Sequence, residues 1–176
     1  MRLRYMEMRN YRKFRDSRIE FPDGVVAIVG QNGTGKTTIL EAVTWALFGN
    51  SSSVVRDNKE GVVSFGASPG DECSVVLEFD LGEDSYRLAR SMKVKSLKTD
   101  ASLEVNGKLL ASGDTDVTKA VAAKLGMDHQ AFFVSVFTKQ KDLNALANLR
   151  PADRKTLVLR MLRVDFLDDV IKDIDR

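Results

Sequence analysis

The chain has 176 residues, 43% of them apolar and 30% charged, with a formal net charge of +2 and a single cysteine. This length and balance suit one globular core, while one thiol excludes an internal disulfide framework and any cysteine-only metal site made by this chain alone. The amino terminus has no apolar signal core and no stretch approaches a membrane span, which sets the expectation of an intracellular chain with no membrane partner.

In chain order, "RLRYMEMRNY" and "SRIEF" read as strands carrying a local basic excess, with Arg2, Arg4, Arg9, Arg12, Lys13, Arg15 and Arg18 against Glu7 and Asp16. After the turn at Pro22 to Gly24, Val25 to Val29 form a continuous β-branched run, which predicts a central strand buried on both faces. Beyond a glycine-rich stretch, Ile39, Ala42, Val43, Ala46 and Leu47 recur at helical spacing, and Gly49 is placed to end that helix. "SSSVVRDNKEG" reads as a surface excursion. "CSVVLEFDL", "YRLARSMKV" and "SLEV" alternate as antiparallel strands, and Asn106-Gly107 is a two-residue hairpin signal. From Asp114 the pattern turns helical, with Val117, Val121 and Leu125 on one face and Gly126 closing the segment. Phe132, Phe133, Val134 and Val136 read as core, and His129 as a surface or capping group. Two further helices are predicted: one opened by Pro151 with Leu157, Val158, Met161 and Leu162, the other from Asp165 with Leu167, Val170, Ile171 and Ile174.

Gly30-Gln31-Asn32-Gly33-Thr34-Gly35-Lys36-Thr37 matches G-x-x-x-x-G-K-[ST] between an apolar strand and an amphipathic helix. The glycines let backbone N–H groups turn inward around anionic oxygens, and the helix adds its positive end. Lys36 reaches toward the β- and γ-phosphates, and the Thr37 hydroxyl is a Mg²⁺ ligand. Hydrolysis also needs a carboxylate behind the metal, usually an Asp ending an apolar strand. Asp80 is the local candidate, but its alternating strand and immediate turn suit a hairpin better. There is no D-x-x-G, and "TKQKD" is one residue too long for a guanine-reading motif, so guanine specificity is not expected.

"NYRKFRDSRIEFPDGVVAIVGQNGTGKTTILEAV" resembles the amino-terminal opening of SMC-like ABC-type ATPases, and among them the SbcC-type, or Rad-fifty, DNA double-strand-break-repair family. "FFVSVFTKQKDLNAL" is similar to the family's Q-loop region. The resemblance implies an α/β P-loop fold with a mixed central sheet and an added antiparallel β-subdomain, incomplete without a carboxyl-terminal segment. Residues 1–164 would form the amino-terminal half of the head, and 165–176 would begin a coiled-coil helix. It implies ATP and Mg²⁺ as cofactors, held by Arg12, Asn32, Gly33, Thr34, Gly35, Lys36, Thr37 and Thr38, with Val63, Ser64 and Phe65 along the adenine. Gln140 would complete the metal shell, and Lys36 and Gln140 would act in catalysis. The implied partners are the carboxyl-terminal segment of the same head, a second head on ATP binding, an SbcD-type nuclease and double-stranded DNA ends, with a nucleoid-associated location. This chain alone would be inactive as an ATPase, since the Walker B and signature motifs lie elsewhere. A RecF- or RecN-type repair protein, a chromosome-organising SMC, or a nucleotide-gated architectural module are the alternatives.

A second basic run, Arg87, Arg90, Lys93, Lys95 and Lys98, carries no acid. Two readings stand: contacts to DNA phosphates through Lys93, Lys95 and Lys98, or a solvated hairpin that guards a sheet edge.

Overall fold

The computed structural model describes residues 1–51, 59–136, 150–152 and 159. The chain divides into two compact units, Met1–Val121 and Ala122–Arg176. Residues 52–58 of the surface excursion, the Q-loop with Gln140, and the predicted helices with Leu157, Met161, Leu167 and Ile171 lie outside the described residues.

The first unit is built on six strands: β1 (Arg2–Tyr11), β2 (Phe14–Glu20), β3 (Glu72–Leu81), β4 (Asp84–Lys93), β5 (Thr99–Val105) and β6 (Lys108–Ser112). They form one sheet in the order β2-β1-β3-β4-β5-β6, with every neighbouring pair antiparallel. Alternation sorts the faces as the sequence implies. Met6 and Met8 of β1 lie opposite Leu77 and Val75 of β3, which pair in turn with Leu88 and Arg90 of β4. All six side chains are buried on this face. The Asn106-Gly107 turn joins β5 to β6 with φ of 50° and 76°, as a primed hairpin turn requires. Asp80 ends a hairpin strand and pairs with Arg4 at 3.2 Å, as its alternating context implied.

Helix α1 (Lys36–Phe48) packs against β3 and β4. Its apolar stripe widens toward the carboxyl end, where every residue from Ala42 to Phe48 is buried. Helix α2 (Asp114–Leu125) follows β6, and Val117 and Val121 are buried as their spacing predicts. In the second unit, helix α3 (His129–Val136) is capped by Asp128, whose Oδ1 accepts the Ala131 N–H at 2.8 Å. Phe132 is buried.

Two expectations are corrected. The run Val25–Val29 joins no strand of the sheet, and Val25 and Val29 are 102% and 91% exposed. A run apolar on both faces is stable as a strand only when both faces and both edges are covered, and the described residues do not supply that cover. Arg90, read with the basic surface, is instead fully buried.

The burial of Arg90 is organised. Its Nε donates to the Ala46 carbonyl at 2.8 Å and Nη2 to the Leu47 carbonyl at 3.4 Å, satisfying acceptors at the carboxyl end of α1. Nη2 also donates to Thr118 Oγ1 at 3.1 Å, and Nη1 pairs with Asp114, the first residue of α2. Gly49 has φ 53°, and a Cβ there would fall 2.6 Å from Asp114 Oδ1 and 2.8 Å from Arg90 Cζ. Burial lowers the Arg90 pKa and Asp114 opposes that shift, so the ion pair together with three hydrogen bonds holds the charge inside.

Cys73, also buried, directs its Sγ toward the Val62 carbonyl at 3.7 Å, and burial pushes the thiol up to about 12. It is a structural thiol with no thiolate to offer at neutral pH.

Arg90→Met keeps much of the volume but strands Asp114 and two helix carbonyls. Removing one partner of a buried pair costs about 3–5 kcal/mol, so urea denaturation of this variant is expected to show that loss. An unchanged midpoint would contradict the node.

Candidate nucleotide-binding site

The loop Gly30–Gly35 runs directly into α1. No side chain caps the helix start, and its first turn holds no acidic residue. The amino-terminal N–H groups and the positive end of the helix therefore face the loop without an anion of their own. Gly33 and Gly35 have φ of 81° and 107°, conformations that L side chains resist. At Gly33 an added Cβ meets nothing, whereas at Gly35 it would fall 2.8 Å from Lys13 Cδ and 2.9 Å from Phe14 Cζ. Gly35 thus answers to both conformation and space.

Lys36 folds back over this loop, its Nζ donating to the Gly30 carbonyl at 2.6 Å and to the Gln31 carbonyl at 2.8 Å. Thr34 Oγ1 donates to the same Gln31 carbonyl at 2.9 Å. Asn32 and Thr37 are exposed and Thr38 is half-buried. Thr37 stands at the second residue of α1, where a hydroxyl could serve a cation held mainly by phosphate oxygens. Mg²⁺ suits such a place because it takes few protein ligands. Among the described residues no group of three or more His, Cys, Asp or Glu could form a self-sufficient metal cage.

The turn between β1 and β2 closes on the site from the side. Arg12 has φ 49° and is held there by its N–H, which donates to the Val62 carbonyl at 2.8 Å. Its Nη1 pairs with Glu41 of α1 at 2.6 Å, both side chains being largely covered, while its Nε is buried with no partner among the described residues. Next to it, Lys13 donates from Nζ to the Gly33 carbonyl inside the loop. Tyr11, just before the turn, lies 5.5 Å from Trp45 of α1 between ring centroids, and burial raises its hydroxyl far above the ordinary tyrosine range.

Val63 bridges to Tyr11, and the Ser64 N–H donates to the Asn10 carbonyl at 2.8 Å. The Val63–Phe65 segment therefore adjoins the Arg12 turn. Arg15 Nη2 donates to the Phe65 carbonyl at 2.8 Å, leaving the Phe65 ring 98% exposed. A cavity of about 370 Å³ opens between this segment and the β4–β5 turn, with Glu60 and Lys95 on its wall. The structure so brings Val63, Ser64 and Phe65 together with Lys95, which the sequence had placed in separate roles. Lys93 and Lys98 are exposed on the same hairpin. Sequence reasoning singled out Arg12 and missed its Glu41 partner and the neighbouring Lys13. The only available signal for Lys13 was its adjacency to Arg12 in "NYRKF".

The chain matches the model of a family described as "AAA domain" over residues 5–175. It is 33% identical over 168 residues to a DNA double-strand break repair Rad50 ATPase of Methanococcus maripaludis, covering 94% of this chain and 16% of that protein. The corresponding protein of Methanocaldococcus jannaschii is 34% identical over 165 residues, with the same coverage of 94% and 16%. The chain therefore spans about a sixth of the length of these relatives. Among solved structures, one described as "Structural biochemistry of ATP-driven dimerization and DNA stimulated activation of SMC ATPases" superposes with a TM-score of 0.63 at 18% identity, covering 92% of this chain and 99% of that one. A second, of the recombination mediator protein RecF-ATPrS, gives 0.56 at 21% identity, with 96% and 41% covered. These two likenesses show the fold: an α/β P-loop fold of the ABC/SMC-like type, present as a partial segment.

Gly33→Ala adds left-handed strain alone, which costs about 1–2 kcal/mol. Gly35→Ala adds the same strain and a clash with Lys13 and Phe14. Thermal unfolding of the two variants is expected to rank Gly35→Ala as the more destabilised; equal melting temperatures would contradict the packing described.

Proposed function

The chain belongs to the AAA domain family and is a homologue of Rad50 ATPases, and from that premise we propose that it is the nucleotide-binding lobe of an SMC-like ATPase head acting in DNA double-strand-break repair. The observation that carries this reading is the uncapped start of α1 behind a glycine loop whose lysine, among the described residues, has only backbone carbonyls to hold. Such a lysine exchanges those carbonyls for phosphate oxygens at little cost, and the helix amides receive the same anion.

In this reading, Asn32 to Thr38 wrap the phosphates of ATP, and Thr37 and Gln140 hold Mg²⁺. The metal, when bound, neutralises charge on the β- and γ-phosphates. Lys36 supplies a fixed positive charge to the same oxygens, and Gln140 serves as the neutral amide that senses the γ-phosphate. Arg12 flanks the nucleotide from the β1–β2 turn, and Val63, Ser64 and Phe65 lie along the adenine.

The head is completed from outside these residues. Val25, Val26, Ile28, Val29 and Leu40 are exposed, and an apolar trough of about 430 Å³ runs beside Val26, Ile28 and Leu40. Exposed apolar surface of this kind supports cover by a carboxyl-terminal segment of the same head, which would bring the Walker B carboxylates and the signature motif. Two heads would then dimerise on ATP, bind double-stranded DNA ends through groups that include Lys93, Lys95 and Lys98, and regulate a nuclease of the SbcD type.

The chain is expected to bind ATP with Mg²⁺ and to lose that binding on Lys36→Ala, measured by calorimetric titration. Turnover is expected only after a segment carrying the carboxylates and signature is added. Efficient hydrolysis by the chain alone would overturn the composite site, and no nucleotide binding would overturn the function.

A further inference from the structure

We propose that Lys13 is a second phosphate-binding lysine of the loop, working beside Lys36. The proposal rests on the nucleotide-binding reading and adds to it a residue outside the G-x-x-x-x-G-K-T pattern.

The β1–β2 turn carries two adjacent cations, and the structure gives them opposite circumstances. Arg12 is committed: its guanidinium lies 2.6 Å from Glu41, and the carboxylate is only 14% exposed. Moving that guanidinium onto a ligand leaves Glu41 unpaired in a largely covered position, which is costly. Lys13 has no carboxylate partner among the described residues. It is exposed, and its ammonium group donates to the Gly33 carbonyl, in the middle of the phosphate loop.

That is the resting arrangement of Lys36 as well. Both ammonium groups sit on loop carbonyls, Lys36 on Gly30 and Gln31 and Lys13 on Gly33. They approach the loop from different elements, Lys36 from the first residue of α1 and Lys13 from the β1–β2 turn. A polyphosphate entering the loop meets positive charge from both.

The approach of Lys13 to the loop also follows from the fold around it. Its stem packs at Gly35, where a Cβ would fall 2.8 Å from Lys13 Cδ, and Phe14 packs beside it. The turn itself is pinned by the Arg12 N–H on the Val62 carbonyl. The absence of a side chain at Gly35 is what lets the lysine stem cross the loop. A lysine already confined in this way loses less freedom when it takes up a phosphate than a freely moving surface lysine would.

No carboxylate among the described residues thus compensates the charge of Lys13, which is held at the loop, while that of Arg12 is spent on Glu41. Phosphate affinity should follow the former residue.

Calorimetric titrations of the wild-type chain, Lys13→Met, Lys13→Arg and Lys36→Met with ATP and Mg²⁺, and with inorganic tripolyphosphate, test this. Lys13→Met is expected to weaken both ligands by about tenfold or more, the scale of one charge-assisted hydrogen bond, and to lower the salt dependence of binding. Lys13→Arg is expected to recover most of the affinity, and the melting temperature of ligand-free Lys13→Met to stay near wild type. Wild-type affinity in Lys13→Met overturns the proposal. Loss of ATP binding with tripolyphosphate binding intact also overturns it, since Lys13 would then read the sugar or base. A wild-type chain that binds neither ligand defeats the nucleotide reading itself, independently of Lys13.

Discussion

The buried guanidinium of Arg90 is the constraint on which the first unit depends. A charge with a fully covered side chain survives only if it is paired and hydrogen-bonded, and here the partners come from two helices. The Ala46 and Leu47 carbonyls end α1, Asp114 and Thr118 begin α2, and β4 holds the guanidinium stem between them. Hydrophobic contact alone would let α1 slide or rotate on the sheet, because methyl and methylene surfaces pack in several registers at similar energy. Directional bonds to two successive carbonyls remove that freedom at the carboxyl end of the helix. The amino end of the same helix adjoins the glycine loop, so this node fixes the direction in which α1 presents its amino-terminal N–H groups.

The glycine loop was legible in the sequence because its requirements are local. Spacing names the residues, and backbone geometry makes glycine necessary at Gly35 whatever the rest of the fold does. The hairpins were legible for a similar reason, since alternation and the Asn106-Gly107 turn fix register within a few residues. Arg90 was misread because composition averages over both faces of a strand. Parity carried the correction: Tyr86, Leu88, Arg90 and Met92 share one face, and three of the four are large apolar or aromatic residues. A basic residue with that parity belongs inside if a carboxylate can reach it.

The exposure of Val25 and Val29 was illegible for the opposite reason. Periodicity states what a segment needs, and says nothing of which chain residues provide it. The run asks for cover on both faces, and the sheet that actually forms places β1 next to β3 and leaves Val25–Val29 outside the ladder. The partnership of Arg12 with Glu41 was hidden by sequence distance. The two are 29 positions apart and meet because β1 and α1 pack on each other at Tyr11 and Trp45.

That aromatic contact leads back to the electrostatics of the site. Tyr11 is the last residue of β1, so seating its ring on Trp45 fixes where the chain must turn. The turn that follows requires a positive φ at Arg12, a conformation costing a non-glycine residue about 1 kcal/mol or more. The strain persists because it is over-determined: the Arg12 N–H is tied to Val62, its guanidinium to Glu41, and Tyr11 to the core. Relaxing any one of these leaves the other two holding the same geometry. The consequence is electrostatic as well as conformational, since a turn held this firmly brings two adjacent cations to the loop and to the helix behind it at once. One cation is neutralised by Glu41 and keeps the turn in place; the other reaches the loop. The local charge that faces the glycine loop is therefore set by an aromatic ring contact in the core, several bonds removed from the loop itself.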